Sequence, residues 1–292
     1  MSFSKLASPR ATREVLAAHG LDPKYRLGQN FLVDDNVIGH ILQLAGLDGE
    51  APDNLQTVLE IGPGIGTLTV ALLEHAAVIA VERDEDLVSV LARTTAEHAE
   101  RFFLLRSDAL KVARADIERA CEALGQGLPS MLVANLPYQI AATVILDWFE
   151  RFDFLDTMVV MVQSEVADRI AAPVGTKDYA AYTVKLRLHA HVTGRFQVPA
   201  SCFFPAPRVQ SAVIRLERVA GTDERLRAAA CRVADAAFAQ RRKNIRNSMT
   251  SVFDRQTVDA LLAICGIEPT TRGETLDVET YLDLGQALLD LQ

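Results

Sequence analysis

From Thr57 to Ala171 short apolar runs alternate with longer stretches of helical period. Thr57–Ile61, Val78–Glu82, Phe102–Arg106, Met131–Ala134 and Met158–Val162 read as buried strands. Thr67–His75, Glu85–Ala96, Ala113–Leu124, Ile140–Phe149 and Ser164–Ala171 repeat their apolar positions every three or four residues and read as helices. Such alternation predicts βαβ units, hence an α/β fold with a parallel sheet and helices on both faces. Upstream, Ala11–His19 predicts a short helix stopped by Gly20, and Lys24–Leu32 has no period and reads as an ordered arm. Asp34 or Asp35 suits the cap of a helix that runs to about Ala45 and ends at Gly46. Residues 179–190 fit helix and strand equally well, and Val209–Leu216 is a β run after the Pro-rich turn Phe204–Pro207. Beyond Val219 only helical periods remain, with a break from Gly266 to Gly273. The expected organisation is a larger α/β domain over 1–220, arm included, and a small all-helical domain over 221–292.

Composition narrows the class. The chain has 292 residues, 49% apolar and 23% charged, which is globular and argues against disordered, collagen-like or coiled-coil chains. Apolar stretches such as Met158–Val162 fall far short of the ~20 residues that span a bilayer. Met1–Arg10 has no apolar signal-like segment, so no membrane partner is expected. Cys121, Cys202, Cys231 and Cys265 are scattered without CxxC spacing and read as small core residues in a reducing, cytoplasmic setting. His189 and His191 could share one strand face, but no third ligand accompanies them, so no metal is expected. The net charge of -8 hides an uneven distribution. Residues 177–246 hold 14 Lys and Arg against 5 Asp and Glu, while the remainder holds 16 against 33. A basic block in an acidic chain is either a face for a polyanion or a solvated helical surface.

Candidate chemistry begins at Glu60-Ile-Gly62-Pro-Gly64-Ile-Gly66-Thr-Leu-Thr69, a glycine loop between a strand and a helix. Glycines let the backbone turn sharply and come close to a ligand. Glu82 ends the next strand, 20 residues after Gly62, where a carboxylate accepts hydrogen bonds from ribose hydroxyls. The third glycine stands one residue early for a dinucleotide loop, with Thr67 in its place. That disfavours a pyrophosphate and favours S-adenosylmethionine (AdoMet) in a Rossmann-like methyltransferase sheet. Asp108, after the third strand, stands either near an adenine amino group or as a helix cap or turn residue.

Asn135-Leu136-Pro137-Tyr138 follows the fourth strand, and ligands of such sheets bind at strand carboxyl ends. These residue types suit methylation of an exocyclic amine. The N6 lone pair of adenine is delocalised into the ring and is a poor nucleophile. An Asn oxygen and a backbone carbonyl can each accept an N6 hydrogen, hold the nitrogen toward tetrahedral geometry and free its lone pair. Pro137 stiffens the turn, and Tyr138 offers a face for the base. No strong base is required, because the alkylated nitrogen loses its proton readily.

With these pieces in order the sequence resembles the rRNA adenine N6,N6-dimethyltransferase family, most closely its bacterial small-subunit branch. The resemblance runs from about Tyr25 to Met249. It rests on Leu27–Leu32 (LGQNFL), Glu60–Thr69, Asn135–Tyr138, Val198–Ala212 (VPASCFFPAPRVQSA) and Phe238–Asn247 (FAQRRKNIRN). It implies AdoMet-dependent dimethylation of two adjacent adenosines in a hairpin near the 3′ end of small-subunit (16S) rRNA, within a pre-assembled small ribosomal particle. By resemblance Asn30, Leu32, Gly62, Glu82, Asp108 and Asn135 would line the AdoMet pocket, and Asn135 and the Leu136 backbone would hold N6. Tyr138 would stack on the base and Phe203 would cover its other face, with Phe204 as the alternative for that role. Arg208 fills the basic slot after the P-x-P segment, and Gln210 stands where relatives often carry Asp.

Arg241, Arg242, Lys243 and Arg246 lie in the basic block, and on a helix Arg242 and Arg246 would share a face and meet successive phosphates. The large-subunit resistance methyltransferases share Asn-x-Pro-Tyr but generally lack this basic segment. They remain the enzymatic alternative. A non-catalytic nucleic-acid-binding factor is the other, and the intact loop, Glu82 and Asn135–Tyr138 argue against it. A monomer is expected, since nothing in the pattern calls for an obligate dimer.

Overall fold

The alternating pattern folds as a seven-stranded sheet, seen in a computed structural model that describes residues 2–24, 27–49 and 55–291. Tyr25 and Arg26 of the arm lie outside the described residues. In chain order come α1 (Pro9–Ala18), β1 (Phe31–Leu32), α2 (Asp35–Ala45), β2 (Thr57–Ile61), α3 (Thr67–Leu73), β3 (Ala77–Glu82) and α4 (Val88–Thr94). Then follow β4 (Phe102–Arg106), α5 (Arg114–Leu124), β5 (Met131–Asn135), α6 (Ala141–Arg151), β6 (Thr157–Gln163), α7 (Ser164–Ala171) and α8 (Ala181–His189). The last elements are β7 (Ala190–Val198), β8 (Phe203–Phe204), β9 (Ser211–Arg218), α9 (Glu224–Phe238), α10 (Ile245–Met249), α11 (Arg255–Ile264) and α12 (Val278–Asp290).

The chain forms two units, Met1–Ser164 with Val192–Glu217, and Glu165–His191 with Arg218–Gln292. In the first the strand order is β4-β3-β2-β5-β6-β9-β7. Strands β4 to β6 pair in parallel, as their continuous apolar runs require. Every residue of β2 and β3 is buried, so both faces of the sheet are covered. On one face α2 and α3 pack Ile38, Leu42, Leu68 and Leu72 against Val58, Val78, Val133 and Val159. The sheet is not purely parallel, for β9 runs antiparallel to β6 from Thr157↔Glu217 to Gln163↔Ser211. Asp34 is the cap of α2, its carboxylate accepting from the Asn36 and Val37 N–H groups. Asp35 instead accepts from the N–H groups of Phe3 and Ser4.

The second unit departs from a single cut at 220. Residues 165–191 belong with the C-terminal helices because Tyr179, Val184 and Leu188 share one apolar core with Ala230, Val233, Ile245, Leu261 and Tyr281. The stretch 179–190 becomes α8 and passes directly into β7, an edge strand whose interior alternates between half-buried and exposed positions. His189 therefore closes a helix while His191 lies in a strand, and the two imidazoles do not share a strand face.

Candidate active site

The chain fills β2, β3 and β4 in one direction across the sheet, then starts again at β5 on the other side of β2. The crevice at such a reversal opens at the carboxyl ends of the two central strands. Here those ends carry the glycine loop, after β2, and Asn135–Tyr138, at the end of β5. A cleft forms at this point, lined by the arm from Leu27 to Leu32 and by Glu60, Gly62, Gly64, Glu82, Arg83 and Asn135–Tyr138, among others. Of the expected cofactor residues it brings together Asn30, Leu32, Gly62, Glu82 and Asn135.

The loop conformation explains its composition. Gly62 has φ of +69°, and a Cβ there would stand 3.2 Å from Pro137 Cδ. The glycine loop and the Asn-Leu-Pro-Tyr turn thus touch closely, and a side chain at Gly62 would both strain the backbone and press on Pro137. Gly64, at φ +63°, faces the Phe31 ring of the arm, which a Cβ would meet at 3.1 Å.

Two carboxyls line the cleft. Glu82 Oε1 accepts 2.8 Å hydrogen bonds from the Arg83 and Asp84 N–H groups, which fixes its orientation. Burial pushes the Glu82 carboxyl above its usual range, opposed by backbone N–H groups that favour the anion. Glu60 is 1% exposed, and its Oε2 has no hydrogen-bond partner. Burial pushes its carboxyl up to about 8. A buried acid beside a glycine cradle, with a second acid at the end of the next strand, fits a ligand carrying cationic and hydroxyl groups. AdoMet has both.

The Asn135 amide nitrogen donates to the Asn30 carbonyl at 3.3 Å, which leaves Oδ1 as an acceptor. Leu136 is buried and its N–H donates to the Met161 carbonyl at 3.1 Å. The turn closes with Ile140 N–H on the Pro137 carbonyl, also at 3.1 Å. Tyr138 is half-buried, and its hydroxyl lies 2.6 Å from Ser211 Oγ at the start of β9. Burial raises the Tyr138 phenol above its usual range, so it stays neutral at physiological pH.

Other expected residues lie elsewhere. Asp108 does not line the cleft; its Oδ1 accepts from Leu110 N–H in a tight turn and its Oδ2 is 3.6 Å from Arg83 Nη1. Phe203 is 4% exposed and belongs to the core beside Leu32, its partner in the short β1·β8 ladder. Phe204 packs with Phe31 on the other side of that ladder, under the Arg13 guanidinium at 4.8 Å. In a two-residue ladder successive side chains face opposite ways, and neither ring reaches the cleft. Phe203 is therefore corrected from a base-stacking residue to a core residue in this conformation.

The basic segment also differs from a continuous helix. α9 ends at Phe238, and Asn244 caps a new helix, α10, through its side chain on Asn247 N–H. Arg242 lies in the turn between them and so does not share a helix face with Arg246. Arg246 makes two 2.6 Å hydrogen bonds to Asp259. Arg241 donates to the carbonyls of Lys177 and Tyr179 and lies 3.6 Å from Glu274. Arg242 and Lys243 are exposed and their side chains have no partner among the described residues, and the same holds for Arg208 in its own loop.

Sequence reasoning passed over Lys24, Gln29, Asp84, Glu60 as a cleft group, and Ser211. Only Asp84, two residues after Glu82, carried a signal through its spacing. Lys24, Gln29 and Ser211 acquire roles through partners far away in the chain. No helix among the described residues is long and apolar enough to cross a membrane.

The profile of the ribosomal RNA adenine dimethylase family matches residues 21–289. The chain is 39% identical to the ribosomal RNA small subunit methyltransferase A of Streptomyces avermitilis, over 96% of this chain and 93% of that one. It is 37% identical to the protein of that name from Geobacillus thermodenitrificans, over 98% of both. Among solved structures it is similar to the 23S rRNA methyltransferase ErmE, with a TM-score of 0.61 and 26% identity over 89% of this chain and 99% of that one. It shares the fold of a dimethyladenosine transferase from Plasmodium falciparum, with a TM-score of 0.68 and 22% identity over 87% and 95% of the two chains.

Proposed function

The chain belongs to the ribosomal RNA adenine dimethylase family, and on that premise we propose how its residues carry out the reaction. The protein is an AdoMet-dependent rRNA adenine dimethyltransferase acting on small-subunit rRNA. The finer reading is that it dimethylates N6 of two adjacent adenosines in the 3′-terminal hairpin. Its substrate is a pre-assembled small ribosomal particle, which places the reaction in the cytoplasm. One observation carries the assignment of roles: the loop of Gly62 and the turn of Asn135–Tyr138 are packed against each other at the sheet reversal, with Glu82 in the same cleft.

Bound AdoMet supplies an electrophilic methyl group on its sulfonium. Glu82, oriented by two backbone N–H groups, would accept from the ribose hydroxyls, and the Gly62 backbone, packed on Pro137, would form the floor of the cofactor cleft. Glu60 would lie beside a cationic group of the cofactor, whose charge would favour the carboxylate against the burial that otherwise raises it. Asn135 Oδ1 accepts one N6 hydrogen and the Leu136 carbonyl the other, which localises the lone pair on nitrogen for in-line attack. Tyr138 stacks on the adenine, its hydroxyl anchored by Ser211. After the first transfer one N6 hydrogen remains, enough for one of the two acceptors, so a second methylation uses the same turn. Arg208, Arg242 and Lys243 are the cations open to phosphate. Asp108 keeps acceptor sites beyond its contacts to Leu110 and Arg83 and would offer them to the adenine amino group.

The similarity to ErmE keeps large-subunit rRNA as a second reading. Transfer of labelled methyl from AdoMet to unmethylated small-subunit and large-subunit particles separates the two, with duplex DNA binding as a control. Dimethyladenosine in small-subunit rRNA is the expected product. Labelling confined to large-subunit particles would overturn the small-subunit reading, and DNA binding without transfer would overturn the enzymatic one.

A further inference from the structure

The arm is fastened at its far end by the β1·β8 ladder and at its near end by Asp84. Asp84 is 7% exposed and lies just beyond Glu82. Its Oδ1 accepts from Lys24 Nζ at 2.5 Å and its Oδ2 from Gln29 Nε2 at 2.7 Å. Gln29 Oε1 in turn accepts from the Lys24 N–H at 2.8 Å, so the two arm residues and the carboxylate form a closed ring of hydrogen bonds. Lys24 Nζ also donates to Asp86. Burial alone would raise the Asp84 carboxyl, but its hydrogen bonds to Lys24, Gln29 and Asp86 outweigh that and hold it below the usual range.

What lies at either end of this ring gives it meaning. On the strand side, Asp84 N–H is one of the two donors that orient Glu82. On the arm side, Gln29 is followed by Asn30, whose carbonyl accepts the amide nitrogen of Asn135. The Asn30 side chain donates to the Gly28 carbonyl at 3.1 Å and stiffens the same stretch. The residues between, Leu27 to Leu32, form one wall of the cleft. An Asn amide rotates easily about its last bond, and the wrong rotamer would present NH₂ to an N6–H donor. The Asn30 carbonyl selects the productive rotamer, and it does so only while the arm is held in place.

Resting on the reading of the cleft given above, we propose that Asp84 is a positioning residue for methyl transfer, a latch that holds the arm so that it both walls the cofactor cleft and orients the Asn135 amide. It touches neither cofactor nor base. Its effect runs through Lys24 and Gln29 to Asn30 and from there to Asn135.

The test compares Asp84→Asn, Lys24→Met and Lys24→Arg with the parent, using the full chain. Hydrogen exchange of the peptide spanning 27–32 reads the latch without reference to any RNA. In Asp84→Asn and Lys24→Met, exchange should rise in that peptide and stay unchanged in β2 and β5. The AdoMet Kd should rise about tenfold, as for loss of a charge-assisted hydrogen bond. At saturating AdoMet, kcat should fall a further roughly threefold or more, because a misoriented acceptor lowers the population of productive geometry. Lys24→Arg keeps the charge and should restore most of both. Unchanged exchange in 27–32 would overturn the latch. Faster exchange with weaker AdoMet binding but an unchanged kcat at saturation would overturn the link to Asn135. If the protein proves to methylate a different RNA, the exchange and AdoMet results still stand or fall on their own.

Discussion

The turn Asn135–Tyr138 and the segment Gln240–Asn247 are both short and chemically distinctive, and folding treats them in opposite ways. The first sits at the end of a central strand, where sheet topology alone delivers it to the glycine loop and to Glu82. Its side chains keep their chemistry for a ligand, since each hydrogen bond they make within the protein orients them and leaves an acceptor or a ring face open. The second is interrupted by the end of one helix and the cap of the next, and half of its cations are engaged by partners within the protein. Arg241 joins Lys177, Tyr179 and Glu274, and Arg246 is held by Asp259. A motif at a strand end can be read as geometry because the fold fixes where strand ends go. A run of like charge cannot, because its availability depends on acids and carbonyls scattered through the rest of the chain.

The contrast is broken most sharply at Asn135. Asn135→Ala removes one of the two N6 acceptors and leaves the Asn30 carbonyl without its donor, with little consequence for the fold. By analogy with loss of one oxyanion-hole donor, methyl transfer should fall roughly 100-fold or more. Particle binding should be unaffected, because the proposed phosphate contacts are Arg208, Arg242 and Lys243. Single-turnover transfer with a parallel binding assay measures both. Near-normal turnover would show that the turn is a scaffold and that its chemistry lies elsewhere.

Next in size is Glu82→Ala. The ribose hydroxyls lose their shared acceptor, and hydrogen bonds to a charged group contribute roughly 1.5–3 kcal/mol, so the AdoMet Kd should rise about tenfold or more. Calorimetry with AdoMet alone reads this. An unchanged Kd would remove Glu82 from the site, and with it the argument that strand ends here deliver function.

The sequence carried the cleft further than it carried the walls around it. The ends of β2, β3 and β5 were legible because a buried parallel strand is a short apolar run whose final residue is easy to place. α8 was not, because Val184, Leu186 and Leu188 are apolar at alternate positions and so mimic a strand. The arm had no period, and its role emerges only from tertiary partners such as Asp84. Phe203 shows the limit of carrying roles over by likeness: the residue occupies the expected place in the chain, yet its pairing with Leu32 turns the ring into the core. The boundary at 220 was displaced for the same reason, since α8 could join the C-terminal helices only through contacts that sequence order conceals.

The smallest effects decide what the basic segment does, and they come from separating its cations. The side chains of Arg242 and Lys243 have no partner among the described residues, so their charge is open to phosphate. Each phosphate contact to single-stranded RNA contributes a slope of roughly -0.7 in log K against log salt, so Arg242→Gln with Lys243→Gln should flatten the slope for particle binding by about 1.4. AdoMet affinity should not change, because neither residue lines the cofactor cleft. Arg246→Gln should behave differently. Its guanidinium is already engaged by Asp259, so its removal should lower Tm slightly and leave the salt slope nearly intact. Binding at several salt concentrations, alongside thermal melts, distinguishes the two variants. If Arg246→Gln flattens the slope as much as the Arg242 and Lys243 pair does, the Asp259 contact gives way to RNA on binding, and the segment acts as one cationic surface. If neither variant changes the slope, the turn is a solvated surface, and the phosphate contacts belong first to Arg208 and its loop.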